Sequence, residues 1–147
     1  MLLLGLKNIG TQSIATDGLV NLGSVYRKYC KKCSGINTFA MQSGDSVILQ
    51  QQGMYHLTFT AVGTGDVAGD VSLQLLENGT AIDGAFSTHT ITTPTTELRT
   101  FVIDYYILVN ANCVLGNYST LTKSISIQST GVDATLTNVV LNIEKVS

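Results

Sequence analysis

The sequence predicts an all-β protein: an antiparallel two-sheet jelly-roll sandwich of about eight to ten strands, forming a single domain over residues 1–147. Three observations predict it. Apolar and polar residues alternate in short runs separated by turn formers, while helical periodicity is nearly absent. The chain is 44% hydrophobic but only 12% charged, which argues against disorder, coiled coil and long solvated helices. It also carries 19 Thr and 12 Ser against eight Lys plus Arg, the composition of a strand-rich surface that is polar without being charged. The net charge of −2 lacks the basic footprint of a nucleic-acid binder, so no nucleic-acid partner is expected.

The first apolar run, Leu2-Leu3-Leu4-Gly5-Leu6, stops at Lys7-Asn8. It has no basic residue before it and falls short of the roughly 7–15 residues of a secretory h-region, so it reads as a first strand. No run approaches the roughly 18–20 apolar residues of a transmembrane helix, and no membrane partner is expected. Residues 8–24 read as two short extended pieces broken by Gly10, Gly18 and Gly23. Residues 25–34 read as a basic loop, because Arg27, Lys28, Lys31 and Lys32 hold half the positive charge of the chain. Two short strands follow, 38–41 and 46–50, around the turn Gln42-Ser43-Gly44-Asp45.

Residues 53–62 give the most regular alternation. Tyr55, Leu57, Phe59 and Ala61 lie on the face predicted to meet a core, with Met54, His56, Thr58 and Thr60 opposite. A loop at 63–69 leads into a strand at 70–76, and Asn78-Gly79 marks a type I′ hairpin that returns along 80–87. Residues 88–96, with the single Pro, read as a polar loop. The run 98–109 is apolar on both faces: Phe101, Ile103, Tyr105, Ile107 and Val109 on one, Val102, Tyr106 and Leu108 on the other. One face meets the sandwich core, so the other needs a second partner, and that predicts oligomerisation. Strands at 119–129 and 135–146 complete the set.

Candidate chemistry is sparse. Cys30 and Cys33 form a C-x-x-C pair beside lysines that would favour thiolate, but no helix follows and no second ligand pair completes a zinc site. Free thiols, a labile disulfide and metal ligation all remain open for the pair, with Cys113 far off in sequence. His56 and His89 are the two histidines, and no G-x-S-x-G elbow accompanies them. His56 is the third metal-ligand candidate: three copies on a three-fold axis would gather three imidazoles or make a pH-sensitive contact. Asp66, Asp70, Asp83 and Asp133 fall in or beside predicted loops without calcium-site spacing. No catalytic residue and no cofactor are expected. The aromatics Tyr55, Phe59, Phe101, Tyr105 and Tyr106 read as core or subunit-interface residues.

Three stretches carry a family likeness: Gly53-Met54-Tyr55-His56-Leu57-Thr58-Phe59, then Val71-Ser72-Leu73-Gln74-Leu75-Leu76-Glu77-Asn78-Gly79, and Asn138-Val139-Val140-Leu141-Asn142-Ile143-Glu144-Lys145-Val146. They resemble the C1q and tumour-necrosis-factor superfamily of trimeric jelly rolls, including bacterial and bacteriophage members. Residues 19–29, 68–71 and 123–127 look similar to small proteins encoded in phages and prophages of gut Firmicutes. The resemblance implies a non-enzymatic homotrimer of a virion, made in the bacterial cytoplasm, as capsid decoration or the head of a short fibre. Residues 1–35 would then serve as an edge strand or docking segment, with Arg27, Lys28, Lys31 and Lys32 contacting the capsid or another virion protein. The alternative is a receptor- or glycan-binding adhesin head of a phage tail or bacterial surface. It would hold a host-surface glycan with the loops 63–70, 88–96 and 110–120.

Overall fold

The computed structural model describes residues 2–30, 39–114, 117–120 and 122–147, and from 111 to 121 it gives main-chain pairing alone. The described residues form thirteen strands and no helix. They are β1 (Leu2–Asn8), β2 (Gln12–Ile14), β3 (Ser24–Cys30), β4 (Ala40–Ser43), β5 (Ser46–Leu49), β6 (Gly53–Gly65) and β7 (Gly69–Glu77). After them come β8 (Thr80–Ile91), β9 (Arg99–Val109), β10 (Ala111–Val114), β11 (Asn117–Thr120), β12 (Lys123–Gly131) and β13 (Ala134–Lys145). One sheet runs β3-β1-β13-β6-β9, with β2 also on β13; the other runs β4-β5-β12-β7-β8. Within both sheets every named pairing is antiparallel. A separate hairpin joins β10 and β11.

The two sheets bury their facing sides against each other. From the first come Leu4, Leu6, Leu57, Phe59, Phe101, Ile103, Leu141 and Ile143; from the second, Val47, Leu49, Val71, Leu73, Leu75, Ile125 and Ile127. Each such side chain contributes roughly 1.5–3 kcal/mol by leaving water, which is what holds the layers together. Tyr55 fills one end of this core, its ring 6.4 Å from that of Phe39. Its hydroxyl donates to the carbonyls of Gln51 at 2.7 Å and Phe39 at 3.3 Å, so the polar tip is satisfied where the ring is dry.

Turn chemistry sets the registers. Asn78 and Gly79 take φ of 52° and 81°, the left-handed pair that a type I′ hairpin between β7 and β8 requires. Between β2 and β3 the chain leaves the first sheet for the second. The backbone at 17–20 runs along β12, with Asp17 N–H donating to Ser129 O and Val20 N–H to Ile127 O.

Three local expectations are corrected. Residues 24–30 are a strand rather than a basic loop: Val25, Tyr26 and Tyr29 favour extended backbone, and exposed charges are at home on an edge strand. Lys31, Lys32 and Cys33 lie outside the described residues. Residues 88–91 belong to β8 rather than to a loop, because Thr side chains pair across the ladder: Ser72 with Thr88 at 2.7 Å, and Thr90 donating to Asp70 at 2.6 Å. Strands also outnumber the expected eight to ten, because short pieces such as β2, β10 and β11 carry too few residues for alternation to register.

Candidate assembly interface

The period-two alternation that buries Tyr55, Leu57, Phe59 and Ala61 turns Met54, His56, Thr58 and Thr60 outward. Register aligns three rows across this outer face. One runs Tyr29, Leu3, Glu144, His56, Tyr106; the next Arg27, Gly5, Asn142, Thr58, Asp104; the third Lys7, Val140, Thr60, Val102. The face therefore has two rims, β3 and β9, with β1, β13 and β6 between them.

At the β9 rim, His56 Nε2 lies 2.6 Å from Asp104 Oδ1, to which it donates, and the imidazole stacks on Tyr106 with centroids 4.6 Å apart. The carboxylate remains 60% exposed. Val102, Tyr106 and Leu108 stand in solvent around it, at 50%, 57% and 45% exposure. This is the second apolar face of the 98–109 run, and among the described residues nothing buries it.

At the opposite rim the Tyr26 ring lies against Gly5. A Cβ on Gly5 would come within 2.8 Å of both the Tyr26 ring and Asn142 Oδ1, so only glycine allows this approach. The Tyr26 hydroxyl donates to Asn142 Oδ1 at 2.8 Å. Lys7 Nζ sits 5.1 Å and the Arg27 guanidinium 5.8 Å from the ring centroid, a double cation–π arrangement. Tyr29 adds a second exposed aromatic.

The predicted aromatic set divides. Tyr55, Phe59 and Phe101 lie in the core, Tyr105 is partly buried against it, and Tyr106 alone reaches the outer face. Neighbours such as 105 and 106 must point to opposite sides of a strand. Arg27 joins the outer face, whereas Lys28 projects from the other side of the edge strand. Cys30 is disulfide-bonded, which removes it as a metal-ligand candidate because a disulfide sulfur offers no thiolate. His56 is held by Asp104 and Tyr106. His89 accompanies Phe101 edge-on at 5.0 Å, with Nε2 2.8 Å from the Thr100 carbonyl oxygen. The loop aspartates are tied locally: Asp66 accepts from Thr135, and Asp133 from Thr16. Among the described residues no three His, Cys, Asp or Glu side chains gather to hold a metal.

No protein-family model matches the chain, and no curated protein sequence matches it. Solved structures do. Murine APRIL at pH 8.5 superposes with a TM-score of 0.69 at 12% identity, over 99% of this chain and 98% of that one. The globular domain of zebrafish complement 1qA protein gives 0.64 at 8% identity, over 100% and 98%. The PRD1 vertex protein P5 gives 0.57 at 18% identity, over 99% and 97%. The fold is a C1q/TNF-type jelly roll.

In this jelly roll the β9 rim was legible in the sequence as a run apolar on both faces. The β3 rim was not. Tyr26 and Tyr29 are three apart, which breaks simple alternation, and a bulge between Gly5 and Leu6 brings both to the outer face. Lys7 and Asp104 carried no motif, and nothing in the sequence related Glu144 to either; only register puts all three on the outer face.

Proposed function

We propose that the chain is one protomer of a non-enzymatic homotrimer on the surface of a bacteriophage or prophage virion, as capsid decoration or the head of a short fibre. The observation that carries this reading is the outer face of the first sheet, where Val102, Tyr106 and Leu108 at one rim and Tyr26 and Tyr29 at the other are left in water. Clusters of exposed apolar side chains at the rims of a sheet mark interaction sites. Copies of one chain are the economical partner, and a closed ring covers the face without making fibres. The fold shared with the PRD1 vertex protein supports the virion assignment. With Arg27 turned onto the sheet face, contact with the particle falls to Lys28 and to Lys31 and Lys32.

Mass in solution tests the assembly. A homotrimer weighs about 47 kDa, three times the 15.6 kDa chain; a monomer at tens of micromolar overturns it. Mass spectrometry of particles purified after prophage induction in the encoding strain tests the location. Abundant protein in the lysate with none in the particles favours an adhesin of the bacterial surface instead.

A further inference from the structure

We propose that the open edge of β3 receives an extended, acidic peptide segment of another protein as an added strand. For the source of that segment this rests on the virion reading above, which makes it part of the particle. An edge strand leaves one row of backbone N–H and C=O groups unpaired, ready to pair with a further chain. Of the four sheet edges, those of β8 and β9 are turned toward each other. Ser87 Oγ on β8 accepts from the Val102 N–H of β9, and His89 Nε2 donates to the Thr100 carbonyl oxygen. The edge at β4 offers only four residues. β3 has seven, its first six exposed, and among the described residues β1 is the one strand paired with it.

Charge selects the occupant. Arg27 stands on one face of the edge strand, Lys28 on the other, and Lys7 on the neighbouring β1. Because an added strand lies beside β3, it reaches both faces. Among the described residues none of these three cations has a carboxylate within ion-pair distance. Cations along an edge ordinarily keep strands away. Here, however, Val25, Tyr26 and Tyr29 are exposed between them, and an edge that is only guarded has no use for apolar side chains in water. Tyr26 is seated against Gly5 with its hydroxyl on Asn142, and the Lys7 and Arg27 head groups gather at its ring. The cations are thus placed before a partner arrives, which lowers the ordering cost of binding. The β3 of a second copy would bring its own cations to the same edge, and like charges directly opposite repel. A segment carrying carboxylates among apolar residues instead meets cation with anion, while its backbone extends the ladder.

The experiment measures binding of a synthetic peptide of mixed Glu, Val and Thr to the whole protein by fluorescence anisotropy, with amide hydrogen exchange reporting where it lies. The peptide is expected to bind and to slow exchange across residues 24–30. Replacing its Glu by Lys, or combining Arg27→Glu with Lys28→Glu in the protein, should weaken binding by about tenfold or more. Circular dichroism confirms the fold of that variant, and Lys7→Glu is the second probe should it fail to fold. Two further peptides are N-methylated at every second residue, one in each phase. One should lose binding and the other keep it, because only alternate amides of an added strand face β3. No binding of the acidic peptide, binding without protection at 24–30, or equal binding of the two methylated peptides overturns strand addition and leaves the virion reading standing. Peptide binding by a protein that is absent from purified particles keeps the edge site and overturns the virion reading instead.

Discussion

Two side chains set the response to pH at opposite ends of the scale. Burial pushes the Tyr55 phenol from 10.0 up to about 12. A raised value in the folded state means stability that is complete below the unfolded value and lost as pH rises from about 10 through 12. Tyr55→Phe removes two hydrogen bonds and should cost about 1–2 kcal/mol at neutral pH. The deficit against the original protein should narrow between pH 10 and 12; parallel thermal-denaturation curves across that range would contradict it. Glu97 is the acidic counterpart. Hydrogen bonds, from Thr92 N–H foremost and then from Arg99 and Thr93, hold its carboxyl down at about 2 from 4.5. Its contribution is present above pH 4.5 and lost as pH falls toward 2. Glu97→Gln should therefore speed amide exchange at Thr92 and Thr93 at neutral pH, an effect the original protein shows only in acid.

At the level of strands, the core was legible and the interface only half so. Alternation along 53–62 identified the buried Tyr55, Leu57 and Phe59, since a side chain's face follows directly from its parity. The Asn78-Gly79 turn was equally plain, because so few residue pairs accept its backbone. What escaped was everything that depends on pairing between strands distant in sequence. Residues 24–30 looked like a loop because four cations dominate the stretch from 27 to 32, and the bulge that turns Tyr26 onto Gly5 leaves no local trace. Gly5 now becomes a sensitive position. Gly5→Val should drive the Tyr26 ring off the sheet, costing about 1–3 kcal/mol through overpacking. It should also weaken assembly, because the β3 rim loses its aromatic platform. A variant that keeps both its melting temperature and its mass would show that Tyr26 finds another seat.

For the molecule as a whole, β13 lies between β1 and β6, so the central strand of the first sheet is also the last of the thirteen along the chain. Its neighbours on either side are more than fifty residues away in sequence, and one of them is the first strand. Closing a loop of that length precedes any reward from pairing, which places the fold among the slow ones. Until residues 134–145 have been synthesised, β1 and β6 present unpaired edges, and the backs of Leu4, Leu6, Leu57 and Phe59 have no Leu141 or Ile143 beside them. The outer face is therefore incomplete until β13 has paired with both neighbours. In the assembly proposed above, a partner copy would meet a finished five-strand face only once β13 is in place.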